Sequence, residues 1–139
     1  AYQISGVPFV TSSNGNELST TVQKISFPYA TRFFQITNTG DDPLRIGFSE
    51  NGVNGLGGSV SGSAYEKLSP PRCLNYLVLS GSGDGNPHTT VRLEIRCKEL
   101  FLRRDGSADT GFSLIAGLTG VESSQFPILT GSQGFSGVG

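Results

Sequence analysis

The chain has 139 residues, 35% of them hydrophobic and 15% charged, and a formal net charge of −1. That length suits one ordinary domain with a core of its own. The near-neutral charge argues against nucleic acid or an anionic membrane surface as a general partner, and twenty glycines and seven prolines, with no Met or Trp, exclude a protein of long helices.

In chain order, the pattern is one of short strands. Residues 7–11 form a first short strand. Residues 21–27 form a second, with Ile25 and Phe27 on its buried face, and residues 32–37 a third, with Phe34 and Ile36 inward. Residues 38–43, Asn-Thr-Gly-Asp-Asp-Pro, make a turn: Asn, Gly and Asp permit the sharp backbone and Pro fixes its exit. Residues 44–49 alternate again, Leu44, Ile46 and Phe48 opposite Arg45. Residues 51–62 are a Gly/Asn/Ser loop. Residues 74–80 are nearly all apolar, which predicts a strand buried on both faces. Residues 80–88 are a second glycine-rich loop.

The clearest alternation lies at residues 90–98. Val91, Leu93, Ile95 and Cys97 are apolar, while Thr90, Arg92, Glu94, Arg96 and Lys98 are polar. This predicts one strand with a dry face and a charged face. The parity changes at Lys98–Glu99, which predicts a bulge or bend with continuation to Arg103. Asp105–Gly106 is a turn, and residues 112–118 close the set. The expected fold is all-β, a single jelly roll or antiparallel β-sandwich of about eight strands over residues 1–121. A Ser/Gly-rich C-terminal arm follows at 122–139, carrying the apolar cluster Phe126-Pro127-Ile128-Leu129.

Little in the chain points to catalysis. The sole histidine, His88, follows a proline in a glycine-rich loop, and no serine sits in a Gly-x-Ser-x-Gly elbow. Gly81-x-Gly83-x-Gly85 precedes a strand rather than a helix, so it reads as a flexible turn and not a phosphate cradle. No metal-ligand spacing, catalytic group or cofactor site is expected, and the chain reads as a non-enzyme. Cys73 and Cys97 could form one bridge, but Cys97 on a dry strand face fits a buried free thiol better, which favours assembly inside a cell. No apolar run approaches the ~20 residues that span a bilayer, so no membrane insertion is expected. Residues 1–10 lack the basic and apolar regions of a signal peptide.

Five of the ten basic residues, Arg92, Arg96, Lys98, Arg103 and Arg104, fall between 92 and 104. This cluster reads as a solvated strand face interleaved with Glu94 and Glu99, or as a polar face turned to another subunit, where arginine's planar fork binds carboxylates. A nucleic-acid surface is disfavoured, since only Phe101 interleaves.

Three segments resemble a known family when taken together. They are Phe27-Pro-Tyr-Ala-Thr-Arg-Phe-Phe-Gln-Ile-Thr-Asn-Thr-Gly-Asp-Asp-Pro-Leu-Arg-Ile-Gly-Phe-Ser-Glu-Asn-Gly-Val53, Arg92-Leu-Glu-Ile-Arg-Cys-Lys-Glu-Leu-Phe-Leu102 and Phe112-Ser-Leu-Ile-Ala-Gly-Leu-Thr-Gly-Val121. The set resembles the penton base proteins, single jelly-roll capsid proteins at the fivefold vertices of large icosahedral double-stranded DNA viruses of algae and protists. The resemblance implies a structural virion protein that assembles in the host cell as a homopentamer. It also implies contact with a double jelly-roll major capsid protein, and with minor capsid or spike proteins. A closed ring uses heterologous contacts. The basic residues above are then candidates for one patch, with Asp41, Asp42 or Glu50 opposite, and charge reversal at Arg96 and Arg103 should weaken assembly. The alternative is a carbohydrate- or receptor-binding β-sandwich, such as a head-decoration or fibre domain, using Tyr2, Tyr29, Tyr65 or Tyr76.

Overall fold

A computed structural model describes residues 7–54, 76–83 and 87–125. Its elements are β1 (Val7–Ser12), β2 (Gln23–Ser26), β3 (Tyr29–Asn38), β4 (Leu44–Gly47), one helical turn α1 (Glu50–Val53), β5 (Tyr76–Leu79), β6 (Thr90–Leu93), β7 (Glu99–Arg104), β8 (Phe112–Glu122) and a 3-10 turn (Ser123–Gln125). The strands form two four-stranded antiparallel sheets, ordered β1-β8-β3-β6 and β2-β7-β4-β5. Each step along the chain except β4 to β5 changes sheet, which is the jelly-roll order. The expected β-sandwich of eight strands is the architecture found.

Alternation explains which side chains meet between the sheets. Phe34, Ile36, Leu114, Ala116 and Leu118 point inward from the first sheet, and Ile25, Leu44, Ile46, Leu100 and Leu102 from the second; all are buried. Burying side chains of this size stabilises by about 1.5–3 kcal/mol each. Phe9 closes one flank edge-on against Phe27, with ring centroids 5.0 Å apart.

The segment 90–104 corrects the sequence reading. It is two strands on different sheets, not one bent strand. β6 pairs with β3 and β7 with β4 and β2. The parity change at Lys98–Glu99 marks a crossing between layers. Thr31 holds that crossing: its hydroxyl donates to Ile95 O (2.8 Å) and accepts from Cys97 N (3.0 Å), while its amide donates to Cys97 O (3.0 Å). Thr31→Val keeps the shape but strips partners from the buried Cys97 amide and the part-buried Ile95 carbonyl. It should destabilise by about 1–3 kcal/mol, measured by urea titration.

Cys97 is a buried free thiol; Cys73 lies outside the described residues. Burial pushes the Cys97 thiol up from 9.0 to about 11. The folded state therefore keeps its proton after the unfolded chain has released it. Stability from this group is fully present below pH 9 and falls as pH rises from about 9 to about 11. Cys97→Ala should flatten that decline in a pH series of melts.

Three further expectations change. Residues 51–62 are not all loop, because α1 begins at Glu50. Ser49 caps it by accepting from Gly52 N (2.9 Å), and Gly47 leaves room for Val53 to pack on β4, where a Cβ would lie 3.0 Å from that of Val53. The strand expected over 74–80, described from Tyr76 on, is not buried on both faces: β5 is an edge strand with Leu77 and Val78 exposed. β8 runs on to Glu122, and Ser123 N bonds back to Pro28 O (3.4 Å). The arm expected from residue 122 is thus still in the sheet at its start, and residues 126–139 lie outside the description.

Candidate subunit interface

Jelly-roll connectivity gathers the β1–β2, β3–β4, β5–β6 and β7–β8 connections at one end of the sandwich. Asn38 ties them together. It is fully buried, and its side chain donates to Asp42 O (2.8 Å) and Leu79 O (2.9 Å) and accepts from Gly40 N (3.0 Å) and Thr110 Oγ1 (2.8 Å). The acidic pair sits here too. Asp41 accepts from Ser82 Oγ (2.9 Å) and Asp42 from Ala108 N (2.8 Å), so both brace neighbouring loops. The backbone needs glycine at this end. At Gly81 a Cβ would lie 2.1 Å from Asp41 O.

The basic cluster is dispersed. Arg92, on the outer face of β6, stacks on Phe33 (4.0 Å to the ring centroid) and lies 3.8 Å from Glu94. Arg96 is exposed in the crossing, and Lys98 follows it, half-buried. Arg103 lies on the other sheet and donates to Asn54 Oδ1 (2.8 Å). Burial and the adjacent Arg45 guanidinium push its pKa below the usual value. Arg104 pairs with Asp109 (2.9 Å). These side chains do not form one face. Reversing Arg103 would disturb α1, so Arg96 is the cleaner probe of the two. Glu50 is exposed at the start of α1, away from Asp41 and Asp42.

The two outer sheet faces differ in chemistry. The face of β2-β7-β4-β5 is charged and covered by α1. There Arg45 pairs with Asp105 (2.7 Å), donates to Val53 O (3.1 Å) and stacks over Tyr76 (4.3 Å). The face of β1-β8-β3-β6 is nearly free of charge. Val10 pairs with Ile115, and Pro8 and Phe33 flank Gly117. Val10 is 67% and Ile115 42% exposed. Beyond them runs a hydroxyl row, with Ser12 bonded to Ser113 (2.8 Å) and Thr37 to Thr90 (2.7 Å). Reading the sequence missed this apolar face. Its trace there is Ile115 at an outward position of β8, which strand parity alone would have flagged.

Among the described residues no group of three or more His, Cys, Asp or Glu could hold a metal ion. A cavity of about 230 Å³ between β1 and β2 is lined by Thr11, Glu17, Gln23 and Lys24 over Leu18 and Phe112, and pairs no nucleophile with an imidazole. Of the tyrosines, Tyr29 is exposed and Tyr76 lies under Arg45; Tyr2 and Tyr65 are outside the description. No helix among the described residues is long and apolar enough to cross a membrane. No family model, curated protein or solved structure matches the chain.

Proposed function

We propose that this chain is a structural virion protein, the penton base, forming homopentamers at the fivefold vertices of an icosahedral capsid. The observation that carries the reading is the jelly-roll strand order together with an outer sheet face, around Val10 and Ile115, that is apolar and unpartnered among the described residues. A contiguous apolar patch on a small domain is what a subunit interface needs and what a monomer avoids. The four-loop end supports the same reading. Loops braced by Asn38 and kept slim by glycine suit close approach around an axis. The non-enzymatic role, the ring of five, the contact with a double jelly-roll major capsid protein or with minor capsid or spike proteins, and the location in the virion all belong to this proposal. Arg92, Arg96 and Lys98 remain its candidate polar contacts, at the crossing end.

Electron microscopy of the native particle tests it. Antibody or tag density is expected at the fivefold positions. Density at the faces of the shell, or on fibres, would overturn the vertex assignment.

A further inference from the structure

We infer that Asn14 is a site of spontaneous chemical modification: its side-chain amide is lost through a cyclic imide and replaced by an aspartyl or isoaspartyl carboxylate, with water as the only co-reactant.

The sequence offers three places for this chemistry. Asn is followed by Gly at 14–15, 51–52 and 54–55. The reaction needs the backbone nitrogen of the following residue to reach the Asn side chain, and glycine, with no Cβ, leaves that approach open. Sequence alone therefore ranks the three alike. The structure separates them.

At the second and third dipeptides the chain is held. Asn51 lies within α1, and Gly52 N, which would be the nucleophile, donates to Ser49 Oγ (2.9 Å). Val53 N and Asn54 N continue the turn, donating to Ser49 O (3.1 Å) and Glu50 O (3.1 Å). Closing the five-membered ring swings the peptide unit after Asn51 out of helical alignment, so these bonds must break first. Asn54 is fastened twice, by its backbone bond to Glu50 and by its Oδ1, which accepts from Arg103 Nη1 (2.8 Å).

At the first dipeptide nothing holds the reacting atoms. Asn14, Gly15 and Asn16 are exposed in the β1–β2 loop. Gly15 N has no acceptor among the described residues. Gly15 takes a φ of 77°, and no atom lies within 4 Å of where a Cβ would stand. The loop's own bonds avoid the site of attack. Ser13 Oγ (2.7 Å) and Glu17 N (3.1 Å) both donate to Gly15 O, and Asn14 N donates to Glu17 Oε1.

The step balances without a redox partner. Gly15 N bonds to Asn14 Cγ, the Cγ–Nδ2 bond breaks, and a proton passes from Gly15 N to the departing nitrogen, which leaves as ammonia. Water then opens the imide. Breaking the bond from Gly15 N to Cγ gives aspartate. Breaking the bond from Gly15 N to the Asn14 carbonyl carbon routes the backbone through Cγ and gives isoaspartate. Either product adds one negative charge beside Glu17, at the end where the four loops gather. The fold outlasts the change, because the loop is pinned outside the reacting dipeptide: Ser13 N to Phe112 O (2.9 Å), Leu18 N to Thr110 O (2.7 Å) and Thr110 N to Leu18 O (3.0 Å). The modified chain is a folded form with an altered loop surface, and its share grows with time since synthesis.

Ageing the folded chain in neutral buffer tests this. Fragmentation mass spectrometry locates each amide-to-acid conversion, and enzymatic methylation of isoaspartyl carboxylates measures the iso product. Asn14 should convert on the order of 10-fold or more faster than Asn51 or Asn54, the delay that unmaking their hydrogen bonds imposes. In concentrated urea, where no fold remains, the three rates should come together. Ser49→Ala removes the acceptor of Gly52 N. Asn51 should then speed up while Asn14 keeps its rate, with a thermal melt to show that the variant folds. Asn51 or Asn54 converting as fast as Asn14 in the folded wild type would overturn the inference. So would an Asn14 that stays intact there while the unfolded chain converts.

Discussion

Replacing Asn38 by alanine is expected to destabilise the folded chain by about 4 kcal/mol, since buried groups left without partners cost roughly 1–3 kcal/mol each. Four are exposed to that loss: the carbonyls of Asp42 and Leu79, the amide of Gly40 and the hydroxyl of Thr110. Partial relaxation keeps the total below the simple sum. With a urea m-value of about 2 kcal/mol per molar, the unfolding midpoint should drop by roughly 2 M. Asn38→Asp should cost at least as much, because its carboxylate would face two carbonyls that now receive hydrogen bonds. A change below about 1 kcal/mol in either variant would mean that Asn38 does not hold the loop end together.

Gly81→Ala should follow closely, at about 3 kcal/mol, the upper part of the range for forced overpacking. The new Cβ would meet backbone, 2.1 Å from Asp41 O and 2.3 Å from Asp41 C, and backbone cannot rotate away as a side chain can. Relief requires the β5–β6 loop to lift from the β3–β4 turn. That breaks Ser82 N to Gly40 O (3.0 Å) and Gly83 N to Asp41 O (3.1 Å). Hydrogen exchange should report it as lost protection at the Ser82 and Gly83 amides, confined to this end of the molecule. Gly83→Ala is the control: its Cβ would lie 3.1 Å from Asp41 O, so a cost under about 1 kcal/mol is expected. Equal costs at the two glycines would contradict the packing described.

The fold was legible because strand parity reports inside from outside directly. Ile25, Phe27, Phe34, Ile36, Leu44 and Ile46 are all inward as the alternation requires, whereas Ile95, expected on the same dry face as Val91 and Leu93, is 40% exposed because β6 ends at Leu93. Parity does not report which sheet a strand joins. That is why residues 90–104 read as one continuous strand, although they cross from one layer to the other at Cys97. The same blindness merged Arg92 with Arg103 and Arg104 into a single charged face. Nor does parity distinguish an edge from a centre: the apolar run ending at Leu79 suggests burial on both sides, yet β5 has one strand neighbour in its sheet. Asn38 and Thr31 were invisible for another reason. A polar residue at an inward position reveals its role only once its partners, distant in sequence, are in place. Asp41 and Asp42 looked available for a partner and are spent on Ser82 and Ala108.

The interface remains the part that sequence described least, because it depends on exposure. Parity puts Val10 and Ile115 on the outward side of their strands, but only the sheet order shows that the two lie side by side.

Native mass spectrometry of the purified chain addresses the central claim most directly. A species of five times the 14.6 kDa chain mass is predicted, giving way to single chains on dilution without passing through a stable dimer. A polypeptide that stays at one chain mass at every concentration, or settles as a dimer, would contradict the account.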